Sequence, residues 1–221
     1  MSMTEPRLIA RHYQQTRERI IATLAGPGVD WNAPVPACPG WSARDVVAHL
    51  TAVAEDWFDG TLTGPPTDDQ TAAQVARFDG CDQAGIIAAW TAAAERLDKY
   101  AETAGVAPPL GDIACHEHDV RGAIDRSGAR DSEAVWHASD QLLTILQTPV
   151  PLRIVVEDAD YRTGPDGGHE IRLRSTRFET LRWRTGRRSR AQLAAMDWSE
   201  DPAPVLDHLY LFGPSDSDVI E

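Results

Sequence analysis

The sequence predicts an α+β protein, with a helical bundle over residues 1–148 and a small α+β domain over residues 149–221. Three observations lead there. Apolar residues recur at helical spacing through most of the first 148 positions. At Pro149 and Pro151 the pattern changes to short alternating or β-branched runs. The composition, 42% hydrophobic and 25% charged over 221 residues, is that of an ordinary globular chain. A chain this long buries about 70% of its unfolded-state surface, so it needs no disulfide staples to fold.

The elements follow in order. Leu8, Ile9, Tyr13, Ile20, Ile21 and Leu24 mark a first helix over 5–26. The proline- and glycine-rich segment GPGVDWNAPVPACPG breaks it. Ser42 is a good N-cap with Asp45 three positions on, so a second helix starts there and runs to about Asp59. Residues 60–70 read as loop and 71–78 as a short helix. A long alanine-rich helix covers 83–104. Pro108 and Pro109 suit the first turn of the next, which runs to about Arg126 and stops at Ser127-Gly128. Another spans roughly 132–147. In the second part, 152–157 and 169–174 read as strands with the turn signal PDGG between them. Residues 176–186, 189–196 and 201–212 read as helices.

Charge and cysteine content narrow the function. The net charge is −13, which repels phosphate backbones and argues against nucleic acid. Residues 1–148 carry 11 basic against 21 acidic residues, and 149–221 carry 10 against 13. Eight arginines crowd between Arg172 and Arg190, with Glu179 the only acid among them. Cys38, Cys81 and Cys115 form no CxxC pair, so a reducing cytoplasm is the expected home. The start, MSMTEPRLIARHYQQ, lacks the apolar core of a signal peptide, and no run of 18 apolar residues predicts a membrane span. P-loop, GxGxxG, GxSxG and HExxH patterns are absent.

The chemistry-bearing residues are histidines and acids. His49 shares the apolar face of the second helix with Val46, Leu50 and Val53. A histidine placed there must be paired or coordinated, either by a backbone carbonyl or by a metal. In GDIACHEHDVRGAID, Asp112 and His116 stand i and i+4 on one helix face, and Asp119 lies i+3 from His116. His118 points elsewhere. A carboxylate and an imidazole one turn apart can occupy adjacent corners of a metal site, with His49 supplying a third. Asp119 is then placed to hold the other ring nitrogen of His116. A solvated polar helix with an ion network around Arg121 explains the same spacing. Trp41 reads as structural, Trp57, Trp90 and Trp136 as core, and Cys38 and Cys115 as inert buried thiols.

Cys38 to Leu50, CPGWSARDVVAHL, resembles the opening of the second helix in the mycothiol-dependent maleylpyruvate isomerase family. The family pattern P-G-W-[ST]-x-x-[DE]-[VL]-x-x-H-[LV] is matched throughout. Asp112, His116 and Asp119 resemble its second, looser element, an acid, a histidine and a following aspartate. The resemblance implies a DinB-like four-helix bundle with a small C-terminal α+β domain. It implies a divalent metal, zinc by family habit, held by His49, Asp112 and His116, although the family enzyme has glutamate at the acid position. DinB-like relatives with three histidines make His118 an alternative ligand.

The resemblance further implies that mycothiol, the actinobacterial low-molecular-weight thiol, binds the metal and attacks a small electrophilic molecule by isomerisation or S-transfer. A carboxylate on that substrate needs a cation. RFETLRWRTGRRSRAQL resembles the C-terminal element that lends an arginine, and its TGR triplet singles out Arg187, with Arg184 next. A solvated basic helix is the plainer reading of any one of these arginines. The expected partners are a small-molecule substrate and a thiol, with no nucleic acid and no membrane, in a monomer or homodimer. The rival reading is a non-catalytic metal-binding or regulatory protein, its site closed by His118 or Glu117.

Overall fold

A computed structural model describes residues 5–221 and shows two compact units, one of residues 5–127 with Glu221 and one of residues 128–220.

The first unit is helical: α1 (Glu5–Leu24), α2 (Ala43–Phe58), α3 (Asp68–Ala76), α4 (Gln83–Thr103) and α5 (Leu110–Ala123). α1 packs on α4 and α5, and α2 packs on the same two, which closes a four-helix bundle. Its core holds Tyr13, Ile20, Val46, Leu50, Ile86, Trp90, Leu97 and Ile113, all nearly inaccessible. Trp57 is only half-buried and lends its indole N–H to the Ala107 carbonyl at 3.0 Å. α3 begins three residues before the expected short helix. Thr67 caps it, and a capping box with Gln70 satisfies the first amides.

The second unit contains α6 (Glu133–Thr144), β1 (Leu152–Val155), β2 (Asp160–Thr163), β3 (Ile171–Arg174), α7 (Arg177–Arg184), α8 (Arg190–Ala194) and β4 (Asp197–Trp198). The units part at Ser127–Gly128, whereas the change of pattern in the sequence falls at Pro149. The reason is the burial of Leu143 and Leu146: they enter one core with Leu152, Ile154, Leu173 and Trp183, so α6 packs with the sheet domain.

The sheet order is β2-β1-β3-β4. β1 and β3 are parallel neighbours, with Leu152 opposite Ile171 and Ile154 opposite Leu173. The PDGG segment therefore does not turn one into the other. It lies in the connection after β2, which pairs antiparallel with β1 through a turn closed by the Val156 amide on the Ala159 carbonyl. A helix over 201–212 does not form. Pro202 and Pro204 remove amide donors, and a single 3-10 turn, Leu206–His208, remains. Val205, Leu206 and Leu209 still reach the core, which explains their helix-like spacing.

Gly164 permits the return from β2. Its φ is +89°, and a Cβ there would stand 2.3 Å from the Val150 carbonyl oxygen. Gly164→Ala is expected to cost about 2 kcal/mol or more, since backbone strain and collision add. A urea titration checks it, and an unchanged midpoint would contradict the close approach.

Candidate metal centre

Two helices position the centre. α2 starts where Ser42 caps it. The Ser42 hydroxyl accepts from the Asp45 amide at 3.2 Å, and the Asp45 carboxylate accepts from the Ser42 amide at 2.9 Å. His49 follows, 3% exposed, in a stretch whose every residue from Val46 to Ala54 is buried. α5 opens after Pro109 with Asp112 in its first turn, where the helix dipole favours a carboxylate. His116 comes one turn later, 6% exposed.

The three side chains converge. Asp112 Oδ1 lies 3.6 Å from His49 Nε2 and 3.6 Å from His116 Nε2. The donor atoms of all three lie within 4.8 Å of one another. A separation of 3.6 Å is too long for a hydrogen bond. It is close to the edge of about 3.4 Å that bonds of 2.0–2.2 Å make around a tetrahedral ion. The Nδ1 of His49 is buried without a hydrogen-bond partner among the described residues. A core histidine tied to a backbone carbonyl would show that bond. The donor set, two imidazoles and one carboxylate, suits a divalent ion of zinc type.

Around this triad stands a second layer. His116 Nδ1 lies 2.8 Å from Asp119 Oδ2, and the Asp119 side chain is fully buried. The Trp41 ring is tilted against His49 at 5.2 Å and stacked on His116 at 6.3 Å with 16° between planes. Sequence reasoning placed Trp41 in a structural role and missed that it borders both imidazoles. The signal was present, since Trp41 and His49 belong to one motif. Tyr13 of α1 completes the surroundings. Burial pushes its hydroxyl pKa well above the ordinary phenol range and the Asp112 charge adds to this, against the Trp90 indole N–H donated to its oxygen at 3.0 Å. Tyr13 is therefore a neutral phenol.

His118 is 3% exposed, but it belongs to neither group of converging donors found among the described residues. Glu117, 1% exposed, accepts from Arg19 Nε at 2.9 Å and Nη2 at 2.7 Å, and from Arg121 at 3.0 and 3.2 Å. The ion network around Arg121 therefore exists beside the converging triad, on the same helix. Arg184 is buried in the second unit, donating to the Leu142 carbonyl at 3.2 Å and the Leu209 carbonyl at 2.6 Å. Burial pulls its pKa down to about 10. Arg187 is half-buried, with Nη1 on the Thr185 carbonyl at 2.6 Å.

Comparison with known proteins finds one matching family and two similar folds. The family model described as the mycothiol maleylpyruvate isomerase N-terminal domain matches residues 13–140. A crystal structure of the mycothiol-dependent maleylpyruvate isomerase is similar, at 14% identity and a TM-score of 0.51. A histidine-to-alanine mutant of that isomerase is similar at 13% and 0.50. Each match covers 85% of this chain and 90% of the other. At such identity the likeness concerns the fold. Among curated proteins, none matches the sequence.

Proposed function

The chain belongs to the mycothiol maleylpyruvate isomerase N-terminal domain family, and from that premise we propose that it is a divalent-metal-dependent enzyme. It would use a low-molecular-weight thiol, mycothiol, on a small electrophilic molecule bearing a carboxylate, by isomerisation or S-transfer. The observation that carries this reading is the convergence of His49, Asp112 and His116 at 3.6 Å spacings, too wide for hydrogen bonds and suited to a shared ion.

His49 Nε2, Asp112 and His116 Nε2 would hold the ion, with zinc the expected identity. A bound divalent ion lowers the pKa of a coordinated thiol, so that thiolate is present at neutral pH. Three protein donors leave a coordination position for that sulfur. Glu117 is engaged by two arginines and His118 lies outside the triad, which supports an open site over a closed one. Asp119 would keep the proton on His116 Nδ1, so that Nε2 presents its lone pair.

Arg187 is the proposed anchor for a substrate carboxylate, because a guanidinium binds carboxylates through two parallel hydrogen bonds. Arg184 is the weaker candidate, since two carbonyls already occupy its nitrogens. No helix among the described residues is long and apolar enough to cross a membrane, and we place the reaction in a reducing cytoplasm.

The test is thiol binding to the metal-loaded full chain. With cobalt(II) in the site, adding mycothiol is expected to produce a thiolate-to-metal charge-transfer absorption that saturates near about one thiol per metal. A chain that holds cobalt but shows no such band would overturn the enzymatic reading and leave a metal-binding protein.

A further inference from the structure

The turn that precedes α2 brings a thiol to the back of the metal centre. Cys38, Pro39, Gly40 and Trp41 form it, with the Trp41 amide donating to the Cys38 carbonyl at 3.0 Å. Pro39 follows the first residue and Gly40, at φ +85°, takes the position that only a left-handed residue fills. The Val35 amide donates to the Trp41 carbonyl at 2.8 Å, and Pro34 bridges Ser42, so the turn is tied on both sides. Two of its side chains reach the same imidazole. Trp41 stacks on the face of His116, and Cys38 Sγ lies 3.4 Å from Asp119 Oδ2, the atom that stands 2.8 Å from His116 Nδ1.

Two groups of potential donor atoms thus share His116: its triad with His49 and Asp112, and a second group with Cys38 and Asp119. Distances separate their roles. The first is spaced at 3.6 Å, the second contains a 2.8 Å contact, which is hydrogen-bond length and too short for two donors on one ion. The second group is therefore a line of close polar contacts, a thiol hydrogen bond to Asp119 and an Asp119–His116 ion-pair contact, not a second metal site.

We propose that Cys38 is a positioning residue for the metal centre: its thiol donates to Asp119, and Asp119 in turn orients His116 toward the ion. The inference rests on the metal reading above. The Asp119 side chain is fully out of water, and a buried carboxyl group needs polar partners around it. The Cys38 S–H donates to it at 3.4 Å, and the His116 imidazole stands against it at 2.8 Å. An S–H bond to a neutral acceptor is weak, but a charged acceptor in a dry site strengthens it. Withdrawing it removes one of the groups that fix the carboxylate, which loosens the ring orientation the metal requires. Trp41 limits the same ring from its face, so the turn constrains His116 in two directions.

The test is a double-mutant cycle read as zinc affinity, by competition with a chromophoric chelator on the full chain. Cys38→Ala is expected to weaken zinc binding about tenfold, the lower end of what second-layer partners contribute. In an Asp119→Ala background the same substitution is expected to change affinity less than about twofold, because the thiol acts through that carboxylate. Cys38→Ser, which keeps a donor, is expected to stay within about threefold of the parent. Equal losses in both backgrounds would show a packing role and overturn the proposal, as would an unchanged Cys38→Ala. Failure of the metal reading is distinguishable: the parent protein itself would then bind no zinc.

Discussion

Replacing His49 by leucine is expected to abolish metal binding and to make the metal-free protein more stable. Both effects come from one placement. His49 is 3% exposed, its Nδ1 has no hydrogen-bond partner among the described residues, and its Nε2 stands 3.6 Å from Asp112. Without an ion, the ring is a polar group buried in an apolar helix face, which costs about 1–3 kcal/mol. Leucine is of similar size and has no such cost. A gain of about 1 kcal/mol corresponds to about 2–4 °C in thermal midpoint for a chain of this length. Elemental analysis is expected to fall from about one divalent ion per chain to background, since a two-donor site does not hold zinc against buffer. Calorimetry in chelator is expected to show the rise. A core histidine predicts the reverse pattern: metal content unaffected and a lower midpoint. That pattern would remove His49 from the centre.

The second large effect is expected at Glu117. Its carboxylate has 1% of its surface in water and accepts from both Arg19 and Arg121, whose side chains are 31% and 14% exposed. Glu117→Ala leaves two guanidiniums beside an emptied, partly buried space between α1 and α5. Breaking a buried pair from one side costs about 3–5 kcal/mol. Partial exposure of Arg19 lets water reach it, so about 3 kcal/mol is the expected loss. The urea midpoint measures it, and the zinc affinity of the folded variant is expected to change little. A loss below about 1 kcal/mol would show that the network is solvated and contributes as surface pairs do.

These two residues show how much of the centre was legible in sequence. Asp112 and His116 stand one helical turn apart, and helix geometry alone puts them on one face. His49 was readable as a polar residue in an apolar stretch with a good cap ahead of it. What spacing could not supply was the choice between a converging triad and an ion network. The structure contains both, because Asp112 and His116 face α2 while Glu117 meets α1. Cys38 and Trp41 were harder. Their reach to His116 depends on how the turn before α2 folds back, and a turn signal says where the chain reverses, not what it approaches.

The fold was legible to a similar depth. Caps at Ser42, Asp82, Ser132 and Ser189 accept backbone amides where the sequence places helix starts. Local chemistry determines those boundaries. The sheet was read less well. β2, with sequence DYRT, carries two exposed charged residues and shows no apolar alternation, so it left no periodic signal. The parallel pairing of β1 with β3 is a long-range choice that alternation reports only as a buried face. The segment 201–212 shows the opposite error, where prolines read as opening a last helix leave only a 3-10 turn.

The order of the sheet also bears on self-association. Its flanking strands are β2 and β4. An open flank is a row of unpaired amides and carbonyls on which another chain can add a strand, and proteins avoid this with short or charged borders. Here one border is two residues long and the other places Asp160 and Arg162 outward. The apolar strands, with Leu152, Ile154, Ile171 and Leu173, are the two interior ones. The segments most prone to cross-β stacking are thus shielded on both sides by strands that make poor templates, and fibre growth from the native sheet is disfavoured by its topology.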